Sequence, residues 1–346
     1  MATTNLDHAD ATAQPFGGVI RESVMNQIWN ISNIPLPLTD AISKGTHTNR
    51  RAEWTEDTLA APSAANAVVD GADISQNNTV IPNRLGNMTQ IPVKEVQIST
   101  SAQAADSIGD ATKLSYQVMQ RQKELRRDVE AQMLTLQASV AGDGNTVAGI
   151  SAGFGAQVKT NINLGATAAA GGFNTTTGLF VAPTATGGTA RALSETALRD
   201  LLQSVYQQGG NTTMLMARPP VIRLMSTYLF SSTARVATLT SDNLQKGDQA
   251  MTAYGSVNVF VTDFGQVVSL TDNRIQTQDA AGKSTMYLVD PTHLRQSFLR
   301  GYETVPLAKT GLSDKRLMSC EYSFLVLNEK SQGAYYALDE TAAMVA

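Results

Sequence analysis

The chain has 346 residues, of which 42% are hydrophobic and only 16% charged, with a net charge of −4 and a pI near 5.5. That length sustains a sizeable core in one or two domains, and the weakly acidic balance argues against a protein that grips nucleic acid through a basic face. The single Cys320 excludes an intrachain disulfide framework and a cysteine zinc site.

Residues 1 to about 18 are polar, small and aperiodic, which predicts a mobile arm ordered only by a partner. They lack a basic or apolar leader region, so no signal peptide is expected, and no run approaches the ~18 apolar residues of a membrane span. A short amphipathic helix is expected over Val19–Ile31. IPLPLTDAIS follows, held extended by Pro35 and Pro37, with Thr39 or Asp40 placed to cap one more turn.

HTNRRAEWTEDTLAAP (47–62) reads as a strand broken at Pro62, and NRLGNMTQIPVKEVQIST (83–100) as a returning strand. Few large apolar residues lie between them. The two arms predict a long hairpin with no hydrophobic face of its own. Such a ribbon is marginal in water and needs a surface to lie on.

Asp110–Ala141 contains no Gly or Pro, and Gly142 follows it. The pattern predicts one helix of roughly 48 Å with Asp110 as N-cap. Ala111, Leu114, Val118, Leu125, Val129, Met133, Leu136 and Val140 fall on an arc of roughly 100°. Glu130 falls on the polar remainder, where it is expected to pair with Arg126 and Arg127.

The Gly/Ala/Thr/Asn-rich region 142–192 predicts loops and a short strand at Phe180-Val181. A helix is expected over Ser194–Gln208, a buried strand at 213–217, and a helix from Pro219-Pro220 through Phe230. From Met251 the chain is mostly β, with a hairpin about Asp263-Phe264-Gly265. In 317–328, Met318, Cys320, Tyr322, Phe324 and Val326 alternate with Ser319, Glu321 and Ser323, which predicts a half-buried strand.

Motifs that carry chemistry are scarce. Gly149-Ile-Ser151-Ala-Gly153 matches G-x-S-x-G, but a nucleophile elbow needs a strand entering and a helix leaving. His8, His47 and His293 show no metal-ligand spacing, and Asp143-Gly144-Asn145 lacks the later positions of a calcium loop. The pairs Arg50-Arg51 and Arg126-Arg127 are expected on solvated faces or in ion pairs between subunits. No catalytic residue, cofactor or metal is expected.

The order of pieces resembles the major capsid proteins of tailed bacteriophages with the Hong Kong 97-type fold. It runs through P-x-P-L-T-D-x-I-S, E-W-T-E-D-T-L, R-L-G-N-M-T-Q-I and R-R-D-V-E, then YLVDPTHL, VPLAKTG and SCEYSFLVLNEKSQGAYYAL. The resemblance implies an α+β fold with an N-terminal arm (1–46), an extended E-loop hairpin (47–100) and a peripheral domain with a long spine helix (101–145). A mainly axial domain (146–289) and return β segments of the peripheral domain (290–346) follow. It implies an icosahedral shell of pentamers and hexamers around double-stranded DNA, assembled in the host cytoplasm with a portal and with scaffold or cement proteins, and no membrane partner. The residues expected to carry assembly are Arg50, Arg51, Trp54, Asp57, Leu125, Arg126, Arg127, Val129, Glu130, Lys309 and Glu321. Some members of the family join subunits by a Lys–Asn bond assisted by a Glu. Lys94, Asn328 and Glu321 are the matching residue types, with no motif around them, so no cross-link is expected. The competing readings are a surface-layer or tail-tube subunit, and a serine hydrolase using Ser151.

Overall fold

The structure is a computed structural model that describes residues 25, 27–29, 35–65, 67–73, 81–107, 109, 113–184, 188–231, 259–279, 281–309 and 311–345. The expected mobile arm and nine of the thirteen residues of the helix expected over Val19–Ile31 lie outside these residues, as does Asp110; Met25, Gln27, Ile28 and Trp29 are described and are not helical, which corrects that expectation there.

Two sheets share one core. The first has the order β1 (Ser43–Thr46), β12 (Leu294–Pro306), β13 (Ser313–Val326), β4 (Val93–Ser99). The second runs β5 (Ile162–Asn163), β14 (Gly333–Leu338), β11 (Ser284–Val289), β8 (Met214–Ala217), β10 (Val267–Asp272), β9 (Val259–Val261). The central strands of this second sheet are apolar on both faces, and their period of two sorts the residues. Leu215, Ala217, Met286, Leu288 and Tyr335 face the helices α5 (Glu195–Gln207) and α6 (Pro219–Ser231). Met216, Tyr287, Val289, Ala334 and Tyr336 face the first sheet and meet Tyr322, Phe324 and Val326 of β13 in the shared core. Each such aliphatic side chain removed from water stabilises the fold by about 1.5–3 kcal/mol.

The long helix, α3 (Leu114–Met133), closes this core with Val129 and Met133 and forms a smaller cluster with Val96 and Met318 through Leu125. It has 20 residues, about 30 Å, so the 32-residue expectation is corrected at both ends. Lys113 is its N-cap, and its side chain makes no capping hydrogen bond. At the other end Thr135 Oγ1 donates to Gln132 O (2.7 Å), and Tyr287 Oη to Leu134 O (3.0 Å). Gly153 N donates to Gln137 O, and Ser139 N to Phe180 O. Tertiary partners thus take the backbone groups that a longer helix would have used, and intrinsic propensity yields to them. Leu136 and Val140 therefore leave the stripe.

The hairpin is shorter than expected. β2 (Arg51–Glu56) pairs with β3 (Asn83–Met88) from Arg51↔Met88 to Glu56↔Asn83, but from Gln90, which pairs with Tyr322, the chain crosses to β13. Ser313 to Ser319 of β13 receive β4 instead. Pro92, which has no N–H to give a ladder, lies just past the point where the strand changes partner. From Met318 to Val326 β13 is buried on both faces: Ser319, Glu321 and Ser323 are 6%, 6% and 0% exposed, so the half-buried expectation is corrected. The remaining elements follow their signals. Ser194 caps α5 through Ala197 N, and Pro219 opens α6. Phe180 lies in β7 (Leu179–Val181), paired with β6 (Gly172–Asn174), and β9 and β10 form the expected hairpin.

Candidate assembly surfaces

A short helix, α1 (Pro37–Ala41), crosses α3 at Glu130. Its Leu36 N-cap has no polar side chain, and Thr39, expected as a cap, lies inside the turn. The cap comes from 92 residues away. Glu130 Oε1 accepts from Leu38 N (2.9 Å) and Asn273 Nδ2 (2.8 Å), and Oε2 accepts from Thr39 N (2.8 Å) and Thr39 Oγ1. The carboxylate is 0% exposed. A buried charge is tolerable only when its lone pairs are filled, and here four donors from two distant segments fill them. The expected surface pairs with Arg126 and Arg127 do not form. Arg126 instead holds its guanidinium 5.6 Å from the centre of the Tyr302 ring, and Arg127 Nε is buried without a hydrogen-bond partner. Leu125 and Val129 are buried, at 1% and 0% exposure, on the face the sequence assigned to them.

On the hairpin, Trp54 stacks on Phe180 with centroids 6.1 Å apart, and Phe173 meets Phe180 edge-on at 5.2 Å. Arg51 Nη2 donates to Gly178 O (2.7 Å) and its Nε pairs with Glu53 (3.3 Å); Arg50 reaches only Gly142 O at 3.5 Å. Asp57 is exposed and accepts from Thr58 N. These contacts fix the base of the hairpin. Beyond them Leu59, Val68, Val69 and Ile81 are 100%, 64%, 80% and 85% exposed. A second arm, the far end of β12 and β13, exposes Val305, Leu307 and Leu312, with Lys309 paired to Asp314 at 2.6 Å.

Glu321 is buried beneath Arg300, which pairs with it at 3.1 Å, and accepts from Thr89 Oγ1. Lys94 pairs with Asp128 at 2.7 Å. Asn328 caps the 3-10 turn Glu329–Ser331 through Lys330 N. Within one chain the three residues therefore have separate local partners.

Ser151 is 2% exposed; its Oγ accepts from Phe324 N and Asn87 Nδ2, both at 3.1 Å. Asn87 Nδ2 also donates to Phe324 O and its Oδ1 accepts from Ala152 N. Gly153 is required because a Cβ there would lie 2.1 Å from Thr135 O. The G-x-S-x-G run is thus a close crossing of chains, with an amide and a backbone N–H where an elbow would need an imidazole. Sequence reasoning passed over Asn87 and Asn273, since lone Asn residues give no local signal of burial. Among the described residues no group of three or more His, Cys, Asp or Glu is placed to hold a metal, and no helix is long and apolar enough to cross a membrane.

Over residues 2–339 the sequence matches the family described as SU10 major capsid protein. The major capsid protein of Escherichia phage Phieco32 is 32% identical over 119 residues; the match covers 34% of this chain and a third (33%) of that relative's length. The fold is similar to a chain from Mycobacterium phage Bobi, with a TM-score of 0.58 at 9% identity, covering 97% of this chain and 99% of that one. It is also similar to the capsid of a native GTA particle, with a TM-score of 0.58 at 12% identity, covering 97% and 100%.

Proposed function

Because this chain belongs to the SU10 major capsid protein family and has the Hong Kong 97-type fold, we propose that its copies associate as pentamers and hexamers and close into the icosahedral head shell of a tailed phage. In this reading residues 1–46 are the N-terminal arm, 47–100 the E-loop, and 101–145 with 290–346 the peripheral domain around the spine helix α3. Residues 146–289 form most of the axial domain. The shell encloses double-stranded DNA without specific contacts, a portal occupies one vertex, and scaffold or cement proteins are its other partners. Assembly takes place in the host cytoplasm, and the product is part of the virion.

The observation that carries this reading is the hairpin beyond Glu56. Leu59, Val68, Val69 and Ile81 are apolar and uncovered by their own chain. Exposed apolar side chains grouped on one projection fit a surface that another copy covers. Many modest contacts of this kind, repeated around a closed shell, add up through multivalency. The mildly acidic chain suits a container that holds DNA without gripping it.

Electron microscopy and sedimentation velocity of the chain expressed alone, and together with a scaffold protein of the same phage, test the proposal. Closed polyhedra or discrete pentamers and hexamers are expected in at least one preparation. A monomer in both, at every concentration, would overturn it.

A further inference from the structure

The two projecting arms carry opposite charge. From Ala52 to Asn83 the sequence holds five carboxylates and no Lys or Arg. Glu53 is taken at the hairpin base by Arg51 and Arg84. Beyond it, Asp57, Asp70 and Asp73 are exposed and have no ion-pair partner among the described residues, and they stand among the exposed Leu59, Val68 and Val69. That surface is apolar and uniformly acidic.

The far end of β12 and β13 is its converse. Val305–Leu317 carries Lys309, Lys315 and Arg316 against a single carboxylate, Asp314. Glu303, just before it, is paired with Arg300, and Glu95 of β4 opposes Leu317 only at the base of the arm. Val305, Leu307 and Leu312 are exposed between these charges. The ladder runs out to Pro306↔Arg316, Leu307 N donates to Lys315 O (3.1 Å), and Thr100 N donates to Leu312 O (3.1 Å). The arm is therefore held in shape before anything meets it, which lowers the ordering cost of association. Leu59 and Leu312 are 100% and 83% exposed, so the two arms leave each other uncovered within one chain.

We propose that the acidic hairpin surface around Asp70 and Asp73 of one copy docks on the basic arm around Lys309 and Lys315 of a second copy. The apolar side chains of both surfaces then leave water together, and the charges around them meet with opposite sign. Hairpin against hairpin, or arm against arm, would set like charges face to face, which complementary interfaces avoid. The contact is therefore heterologous. Each copy gives its hairpin to one neighbour and its arm to another, an arrangement that generates rings where the rotation closes. This inference rests on the shell reading and names the partner surface for the hairpin.

The test exchanges the charges and follows assembly of the full chain by sedimentation velocity over a concentration series. Asp70→Lys with Asp73→Lys, and separately Lys309→Glu with Lys315→Glu, should each raise the concentration needed for half-assembly by about tenfold or more. The variant carrying all four changes, and a 1:1 mixture of the two double variants, should both recover most of the loss. Lys44→Glu with Lys123→Glu, two exposed cations elsewhere that alter net charge equally, should leave the threshold unchanged. Urea midpoints should stay parental in every variant, because exposed charges contribute little to folding. An unchanged threshold in either double variant, an equal defect in the control, or no recovery in the exchanged variant and the mixture would overturn the contact while leaving the shell reading standing. A defect of the Lys309→Glu, Lys315→Glu protein confined to retention of a DNA duplex would assign the basic arm to nucleic acid and overturn it likewise. A parental chain that never assembles would instead overturn the shell reading itself, and this contact with it.

Discussion

At the scale of single residues, Glu130 carries the most. Its four hydrogen bonds tie α1 and Asn273 to the long helix, so removing the carboxylate strands two backbone N–H groups in a dry site. Each stranded donor costs about 1–3 kcal/mol. Glu130→Ala should therefore destabilise the chain by at least about 3 kcal/mol, and Glu130→Gln by less, read as a shift in the urea midpoint. An unchanged midpoint in the alanine variant would show that the network contributes nothing. A charge in the core is costlier still: Leu125→Asp or Val129→Asp should give insoluble protein, because an unpaired buried charge costs several kcal/mol. Soluble, normally assembled particles would contradict that. His47 gives a pH signature. Burial lowers its pKa below 6.5, against the opposing pull of Glu321. Below 6.5 the unfolded chain takes up a proton that the folded chain resists, so stability should fall as pH drops through that value. His47→Gln should flatten the slope between pH 7 and 5.5, and an identical slope in both proteins would remove the assignment.

At the scale of elements, the apolar stripe of α3, the helix over Ser194–Gln208 and the prolines that open α6 were legible because they are local. The helix end was not. Leu136 and Val140 keep the helical period, yet their segment is turned by Thr135 and claimed by Gln137, Ser139 and Val140 contacts to 150–153 and Phe180. The returning arm of the hairpin failed for the same reason. Pro92 was visible, but β13 as the new partner of β4 was not. Six residue pairs hold the hairpin base, with Trp54 on Phe180, while Leu59, Val68, Val69 and Ile81 beyond it are left largely uncovered by the isolated chain. Deleting 63–83 should then leave a subunit with near-parental unfolding behaviour that forms no shells. Normal shells from that deletion, seen by negative stain, would remove the E-loop assignment.

At the scale of the molecule, two sheets and one long helix enclose a shared core, and two arms project with uncovered apolar tips. Association by such contacts needs no covalent bond. Boiling assembled particles in detergent should yield monomer alone; a ladder of multimers would bring Lys94, Asn328 and Glu321 back as a cross-linking set between copies. The amino-acid sequence by itself determined the elements that repeat at 3.6 or 2 residues, the order in which they follow, and through that order the family. It also excluded an intrachain disulfide, since one cysteine cannot pair within a chain. Only the tertiary structure decided that Glu130 is an internal cap, that Ser151 Oγ accepts from Phe324 N and Asn87, and that both faces of β13 are dry from Met318 to Val326. Periodicity records which side of an element meets apolar neighbours, because burial acts on every turn alike. The partner of a single polar group is set by whichever distant segment arrives beside it, and residues 92 apart leave no local trace of that meeting.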